Sequence, residues 1–275
     1  MTTPDTNNDQ PIDIKRRKAL GTLGAFSALG LIGCGGGSGL TVSSSSSSSS
    51  TLASSSLASS ATNSVASTSA ASSAAATSCV LMPSETIGPF PLSTILNSST
   101  VLREAINEDK TGVPLTVKLK LVDVDHSCNI VSGYVYIWHC DKDGLYSGYS
   151  GSNNQGQAGK TYCRGVQYTD SNGVATFTTI YPGWYVGRIT HIHFQIFLTT
   201  YSSTAQSTAV SQMAFPIEIT QAVYNSSLYT KGQNTSVTSF AADNVFSDGV
   251  TYQMTTVTGN VDEGYIAELT VGLKI

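Results

Sequence analysis

The sequence predicts an all-β protein, a β-sandwich, on three observations. Apolar residues alternate with a period of two through most of the region after residue 110, turn signals separate the alternating runs, and no long stretch carries convincing helical periodicity. Leu115, Val117, Leu119 and Leu121 alternate with Thr116, Lys118 and Lys120, as a strand with one buried face does. Tyr134, Tyr136 and Trp138 share one face of a second strand and Val135, Ile137 and His139 the other. Further strand-like runs are Val174 to Ile180, His191 to Thr199, Thr208 to Phe215, Val250 to Thr258 and Tyr265 to Leu273. Asp143-Gly144 and Ser171-Asn172-Gly173 mark turns, and Thr100 to Glu108 is the candidate for a short helix. Strands of this length, each with one apolar face, bury those faces by packing sheet on sheet.

Composition narrows the region where function lies. The chain has 275 residues, 14 Lys+Arg against 18 Asp+Glu and a formal charge of -4, which excludes a basic nucleic-acid binder that neutralises phosphates. Residues 1–34 read as an export signal: Lys15, Arg16, Arg17 and Lys18 precede a short Gly- and Ala-rich apolar run, too short to span a bilayer comfortably. The Arg16-Arg17 pair resembles a twin-arginine signal. Leu31-Ile32-Gly33-Cys34 resembles a lipobox, which implies a lipid anchor at Cys34 and places the protein in a bacterial cell envelope. An ordinary cleaved signal is the alternative. Residues 35–78 are nearly all Ser, Ala, Thr and Gly, with unbroken serine from Ser43 to Ser50, and are expected to form a disordered tether. Residues 79–275 remain as one domain with a core.

Four cysteines follow Cys34, namely Cys79, Cys128, Cys140 and Cys163. In an exported chain an even number predicts two disulfides, with three connectivities open, although Cys128 can equally remain a buried thiol. A zinc site competes poorly, because the spacings contain no C-x-x-C.

His191-Ile192-His193 lies in a run that reads as strand, so both imidazoles face one side and Ile192 the other, a ready pair of metal ligands. Alone, such a pair is more often packing than ligand. Its neighbourhood changes the reading. Three blocks occur in order: W-H-x-D-x-x-G-x-Y-S from Trp138 to Ser147, R-G-x-Q-x-T-D-x-x-G from Arg164 to Gly173, and P-G-W-Y-x-G-R-x-x-H-I-H-F from Pro182 to Phe194. Together they resemble the intradiol ring-cleavage dioxygenases, the family of protocatechuate 3,4-dioxygenase and catechol 1,2-dioxygenase. The likeness extends back to Gly88-Pro89-Phe90 and forward to Gln212.

The resemblance implies a non-haem Fe(III) held by Tyr146, Tyr185, His191 and His193. The donor types agree, since phenolate is a hard anionic oxygen suited to a trivalent ion and imidazole is acceptable to iron. It further implies cleavage of a catechol-type diol by O2 to a cis,cis-muconate-type diacid, with Tyr185 as the displaceable ligand that takes up a proton. Arg188 would stabilise charge developing on the ring, and Gln212 lies near the same pocket. Tyr149, three residues from Tyr146, is the competing tyrosine.

Two departures limit the transfer. Only five residues separate Tyr185 from His191, where the family's protocatechuate and catechol enzymes carry a longer pocket-forming loop, and Ile87 stands where relatives often have Glu. The short loop looks like an exported, lipoprotein-like branch and leaves the aromatic substrate open; no extended helical segment like the one the catechol enzymes use to dimerise is read, which leaves the oligomeric state open too. A copper-zinc superoxide dismutase also uses H-x-H in a strand, but this chain's four histidines are too few for its two-metal site. A non-catalytic envelope binding module on the same sandwich is the other-class alternative.

Overall fold

The alternation read in the sequence becomes two packed sheets in a computed structural model that describes residues 79–275. The expected export signal with Arg16, Arg17 and Cys34, and the expected tether over 35–78, lie outside the described residues. Strand β1 (Pro114–Asp123) is central to the first sheet. One of its edges pairs antiparallel with β5 (Val174–Ile180) and with the short β2 (Asn129–Ile130). Its other edge pairs in parallel with β9 (Gly264–Leu273), which pairs antiparallel with β8 (Thr256–Asn260). The second sheet is antiparallel throughout, in the order β4 (Arg164–Tyr168), β3 (Tyr134–Trp138), β6 (His191–Phe197), β7 (Ala209–Ala214).

Leu115, Val117, Leu119 and Leu121 of β1 face Val135 and Ile137 of β3 and Ile192, Phe194 and Ile196 of β6 in one buried cluster between the sheets. The period of two therefore assigns the other residues of β3 and β6, including Tyr136, Trp138, His191 and His193, to the outer face of the second sheet. That face is buried as well. Leu96, Val101 and Tyr146 pack against Tyr136 and Trp138 beneath a cover drawn from the N-terminal segment and the β3–β4 loop.

Four expectations are corrected. Thr100 to Glu108 is not a helix: after a 3-10 turn at Ser99–Val101 the segment runs extended. There Arg103 N–H donates to Val166 O and Ile106 N–H to Thr178 O, so pairing with two strands outcompetes a helix's internal bonds. The stretch from Val250 begins as a turn, with Gln253 and Met254 N–H both on Val250 O, and the strand starts at Thr256. One helix went unread, α1 (Ile217–Tyr224), whose eight residues are too few to display a helical period.

The fourth correction concerns the cysteines. Cys79 and Cys128 form a disulfide, whereas Cys140 and Cys163 are free, buried thiols. The register explains why the second bond is missing. Trp138 opposes Arg164, and His139 N–H donates to Cys163 O, so Cys140 lies one position out of step with Cys163, and the two thiols sit in different buried clusters, Cys140 with Trp138 and Tyr146 and Cys163 with Tyr162 and Ile180.

Candidate metal centre

A single cross-strand row spans all four strands of the second sheet on its outer face: Arg164 opposite Trp138, Trp138 opposite His193, His193 opposite Gln212. The Trp138 ring stacks on the His193 imidazole with centroids 4.9 Å apart and planes 3° from parallel, which fixes the imidazole's orientation. Gly88 lies over the same ring, so close that a Cβ would come within 2.9 Å of His193 Cε1. His191 donates its Nδ1–H to Ile189 O at 2.6 Å, leaving the Nε2 lone pair turned toward the loops above.

Those loops deliver the two tyrosines. Asp141 organises the turn before Tyr146, accepting the N–H groups of Asp143 and Leu145 on Oδ1 and Lys110 Nζ on Oδ2. The turn packs backbone to backbone against the Pro182–Tyr185 turn. A Cβ on Gly144 would meet Trp184 O at 2.1 Å, and one on Gly183 would meet Lys142 O at 2.2 Å. Each of these glycines stands two residues before a predicted tyrosine ligand, so their contact brings Tyr146 and Tyr185 together.

All four predicted ligands converge. His191 Nε2 lies 3.1 Å from His193 Nε2, 3.2 Å from Tyr185 Oη and 3.4 Å from Tyr146 Oη. Donors bound to one ion at about 2.0–2.2 Å stand roughly 3–3.5 Å apart along the edges of its coordination shell, so the spacing fits a single metal ion. The donor chemistry fits a ferric ion, with two oxygens that become anionic and two neutral nitrogens. Among the described residues no cluster of three or more His, Cys, Asp or Glu could hold a metal, so a cation here would need the phenols.

Burial keeps every donor neutral in the absence of a cation. It lowers the His191 pKa to about 3, helped by the Arg188 charge, and lowers His193 well below the usual range, helped by His191. The Tyr146 phenol is raised well above its usual value by burial and by Tyr185, and burial raises Tyr185 to about 12 against the opposing pull of Arg188. Neutral imidazoles are ready to ligate. The phenols ionise at neutral pH only if a cation replaces the lost solvation.

Arg188 and Gln212 also reach the site, though in different capacities. Arg188 Nη1 lies 3.4 Å from His191 Nε2. Gln212 accepts Arg188 Nη2 on Oε1 at 2.6 Å and donates Nε2 to Thr86 O at 2.9 Å, so it braces the arginine rather than pointing into the donor cluster. Tyr149 is excluded by its own engagement, with Leu92 N–H on its oxygen at 2.6 Å. His126 pairs with Asp123, and His139 lies buried between Cys140 O and Thr179 Oγ1.

Two charged residues of the site were not assigned from sequence. Arg164, fully buried, donates to Phe90 O at 2.7 Å, Ser147 O at 2.8 Å and Ser147 Oγ at 2.9 Å. It thereby holds the two neighbours of Tyr146, since Phe90 stacks on that ring at 4.7 Å and Ser147 follows it in the chain. Its presence in the second motif block was the available signal. Asp243, fully buried, pairs with Arg188 Nε at 3.0 Å and lies in a stretch with no periodicity to mark it.

No protein-family model matches the chain, and no curated protein matches it. Solved structures do. An intradiol ring-cleavage dioxygenase from Tetranychus urticae is 25% identical with a TM-score of 0.62, covering 71% of this chain and 95% of its own. A second structure, described as a dioxygenase, is 26% identical with a TM-score of 0.59 over the same shares. The sandwich, the shared coverage and the three ordered motif blocks agree, and over most of its described length the chain is similar in fold and sequence to an intradiol ring-cleavage dioxygenase.

Proposed function

We propose that this protein is an Fe(III)-dependent dioxygenase that opens a catechol-type ring between its two hydroxylated carbons, using O2 and giving a cis,cis-muconate-type diacid. One observation carries the reading: two phenol oxygens and a second imidazole nitrogen stand 3.1–3.4 Å from His191 Nε2. Tyr146, Tyr185, His191 and His193 would hold the ion. Ferric iron, when bound, supplies the Lewis acidity that binds a catechol as its dianion and makes the ring reactive toward O2.

The chain's own residues do the rest. Tyr185 is the more accessible of the two tyrosines, half-buried where Tyr146 is 1% exposed, so it is the one free to swing away and to accept a proton at Oη as the diol arrives. Tyr146, clamped by Phe90 and the residues that Arg164 holds, stays in place. Arg188 presents Nη1 toward the cluster, where a guanidinium stabilises charge delocalised over the ring oxygens. Trp138 and Phe90 shield the imidazole and phenol faces from water.

We further infer that the protein is exported and lipid-anchored in a bacterial envelope. Arg16-Arg17 and the Leu31 to Cys34 lipobox-like sequence support this, and a Lys-Lys replacement that left export intact would remove the twin-arginine assignment.

Metal analysis with the visible spectrum of the purified protein, before and after anaerobic addition of catechol, tests the proposed activity. One iron per chain and a broad phenolate-to-Fe(III) band that shifts with catechol is the expected result. A colourless protein that cannot be loaded with Fe(III) would turn the assignment toward a binding module.

A further inference from the structure

Arg188 is held from two sides. Asp243 meets Nε with Oδ2 at 3.0 Å and Oδ1 at 3.2 Å, and Gln212 Oε1 meets Nη2 at 2.6 Å. A guanidinium is planar, so fixing Nε and one terminal nitrogen fixes the plane and leaves the direction of Nη1 no freedom. That nitrogen is the one directed at His191 Nε2. Asp243 is itself anchored, accepting Ile189 N–H at 2.7 Å, Val245 N–H at 2.8 Å and Phe246 N–H at 3.2 Å. Burial opposes its charge, but these bonds and Arg188 outweigh it and hold the carboxyl below the usual range, so it stays ionised.

We propose that Asp243 is a positioning residue that presets the Arg188 guanidinium, with Nη1 aimed at the donor cluster, to receive an anionic ring oxygen of the bound diol. The assignment rests on the metal and substrate class proposed above. Asp243 touches none of the four donors in the contacts described, and acts through Arg188. The same carboxylate binds Ile189 N–H, whose carbonyl fixes the His191 tautomer, so the arginine and the imidazole are registered against one anchor.

A double-mutant cycle on the full chain loaded with Fe(III) tests this, reading the resting phenolate band and the catechol affinity from its anaerobic shift. Asp243→Asn retains the iron and the resting band but weakens catechol binding on the order of 10- to 100-fold, the worth of a charged hydrogen bond. Arg188→Ala weakens it similarly, and the double variant is no weaker than Arg188→Ala alone. A merely structural role would bleach the resting band together with binding. Wild-type affinity in Asp243→Asn, or losses that add in the double variant, overturns the positioning role while iron and catechol binding by the wild-type chain leave the functional reading intact. A wild-type chain that takes up no Fe(III) overturns both. Should Asp243→Asn not fold, Asp243→Glu replaces it, shifting the carboxylate by one methylene. Its retained band with weakened affinity supports the role, and unchanged affinity overturns it.

Discussion

Tyr146 and Tyr149 differ in what their oxygens face, a distinction three positions of sequence cannot make. Tyr146 Oη lies 3.4 Å from His191 Nε2, while Tyr149 Oη accepts Leu92 N–H at 2.6 Å. Tyr146→Phe is therefore expected to lower iron retention and change the visible band, and Tyr149→Phe to leave both unchanged; the reverse pattern in the spectra would reassign the ligand. Two of the four donors were legible as an i, i+2 pair on a strand, whereas the tyrosines needed the motif blocks, because loops carry no period. His139, second in the first block, has a different role. Burial lowers its pKa to about 4 from 6.5, so it is neutral in the fold and bonded to Cys140 O and Thr179 Oγ1. The unfolded chain takes up its proton near 6.5. The contribution is thus whole above that pH and is lost as pH falls toward 4, at a cost on the order of 3 kcal/mol below both values. Urea midpoints at pH 7.5 and 4.5 should drop less for His139→Gln than for the wild type, and equal drops would dismiss the buried neutral histidine.

Between elements, the decisive contact is the one between the Asp141–Tyr146 and Pro182–Tyr185 turns. Gly183 lies against backbone, with Lys142 O at 2.2 Å and Lys142 C at 2.5 Å from where a Cβ would stand, and backbone cannot swing aside as a side chain can. Gly183→Ala should push the turns apart and with them Tyr146 and Tyr185, lowering iron affinity on the order of 10- to 100-fold, as loss of support around a metal ligand does. Far-UV circular dichroism would stay β-rich, because both sheets lie outside the contact. Unchanged iron retention would show that the tyrosines are placed independently of this packing. The strands themselves were legible wherever one face was apolar, as in β1 with Leu115, Val117, Leu119 and Leu121. The segment after Thr100 was not, because its apolar positions, Val101 and Ile106, are set by pairing to β4 and β5 and not by a period of its own.

Across residues 79–275, the sandwich gives the second sheet two buried faces, one for the core and one for the proposed metal ligands, and the cysteines are divided between half-buried and buried positions. Cys79 and Cys128 join the N-terminal segment to the β1–β2 turn at half-buried positions, a cross-link over a separation of 49 that contributes roughly 4 kcal/mol on the chain-entropy model. Cys140 and Cys163 are sealed inside, and burial pushes both thiols up, away from the reactive thiolate. A chain oxidised while unfolded has three complete pairings open to these four cysteines, whereas a chain that folds first offers an oxidant only the outer pair. The proposed twin-arginine route, which exports proteins already folded, would supply that order. Under denaturation without reductant, an alkylating reagent should therefore label Cys140 and Cys163, and should reach Cys79 and Cys128 only after reduction. Exporting the same chain unfolded, by exchanging the segment that carries Arg16 and Arg17, should yield mixed pairings that include the inner thiols. A Cys140–Cys163 bond in the native protein would contradict the placement of those two thiols in separate buried clusters, and a single pairing after unfolded export would show that the fold selects its disulfide however it is delivered.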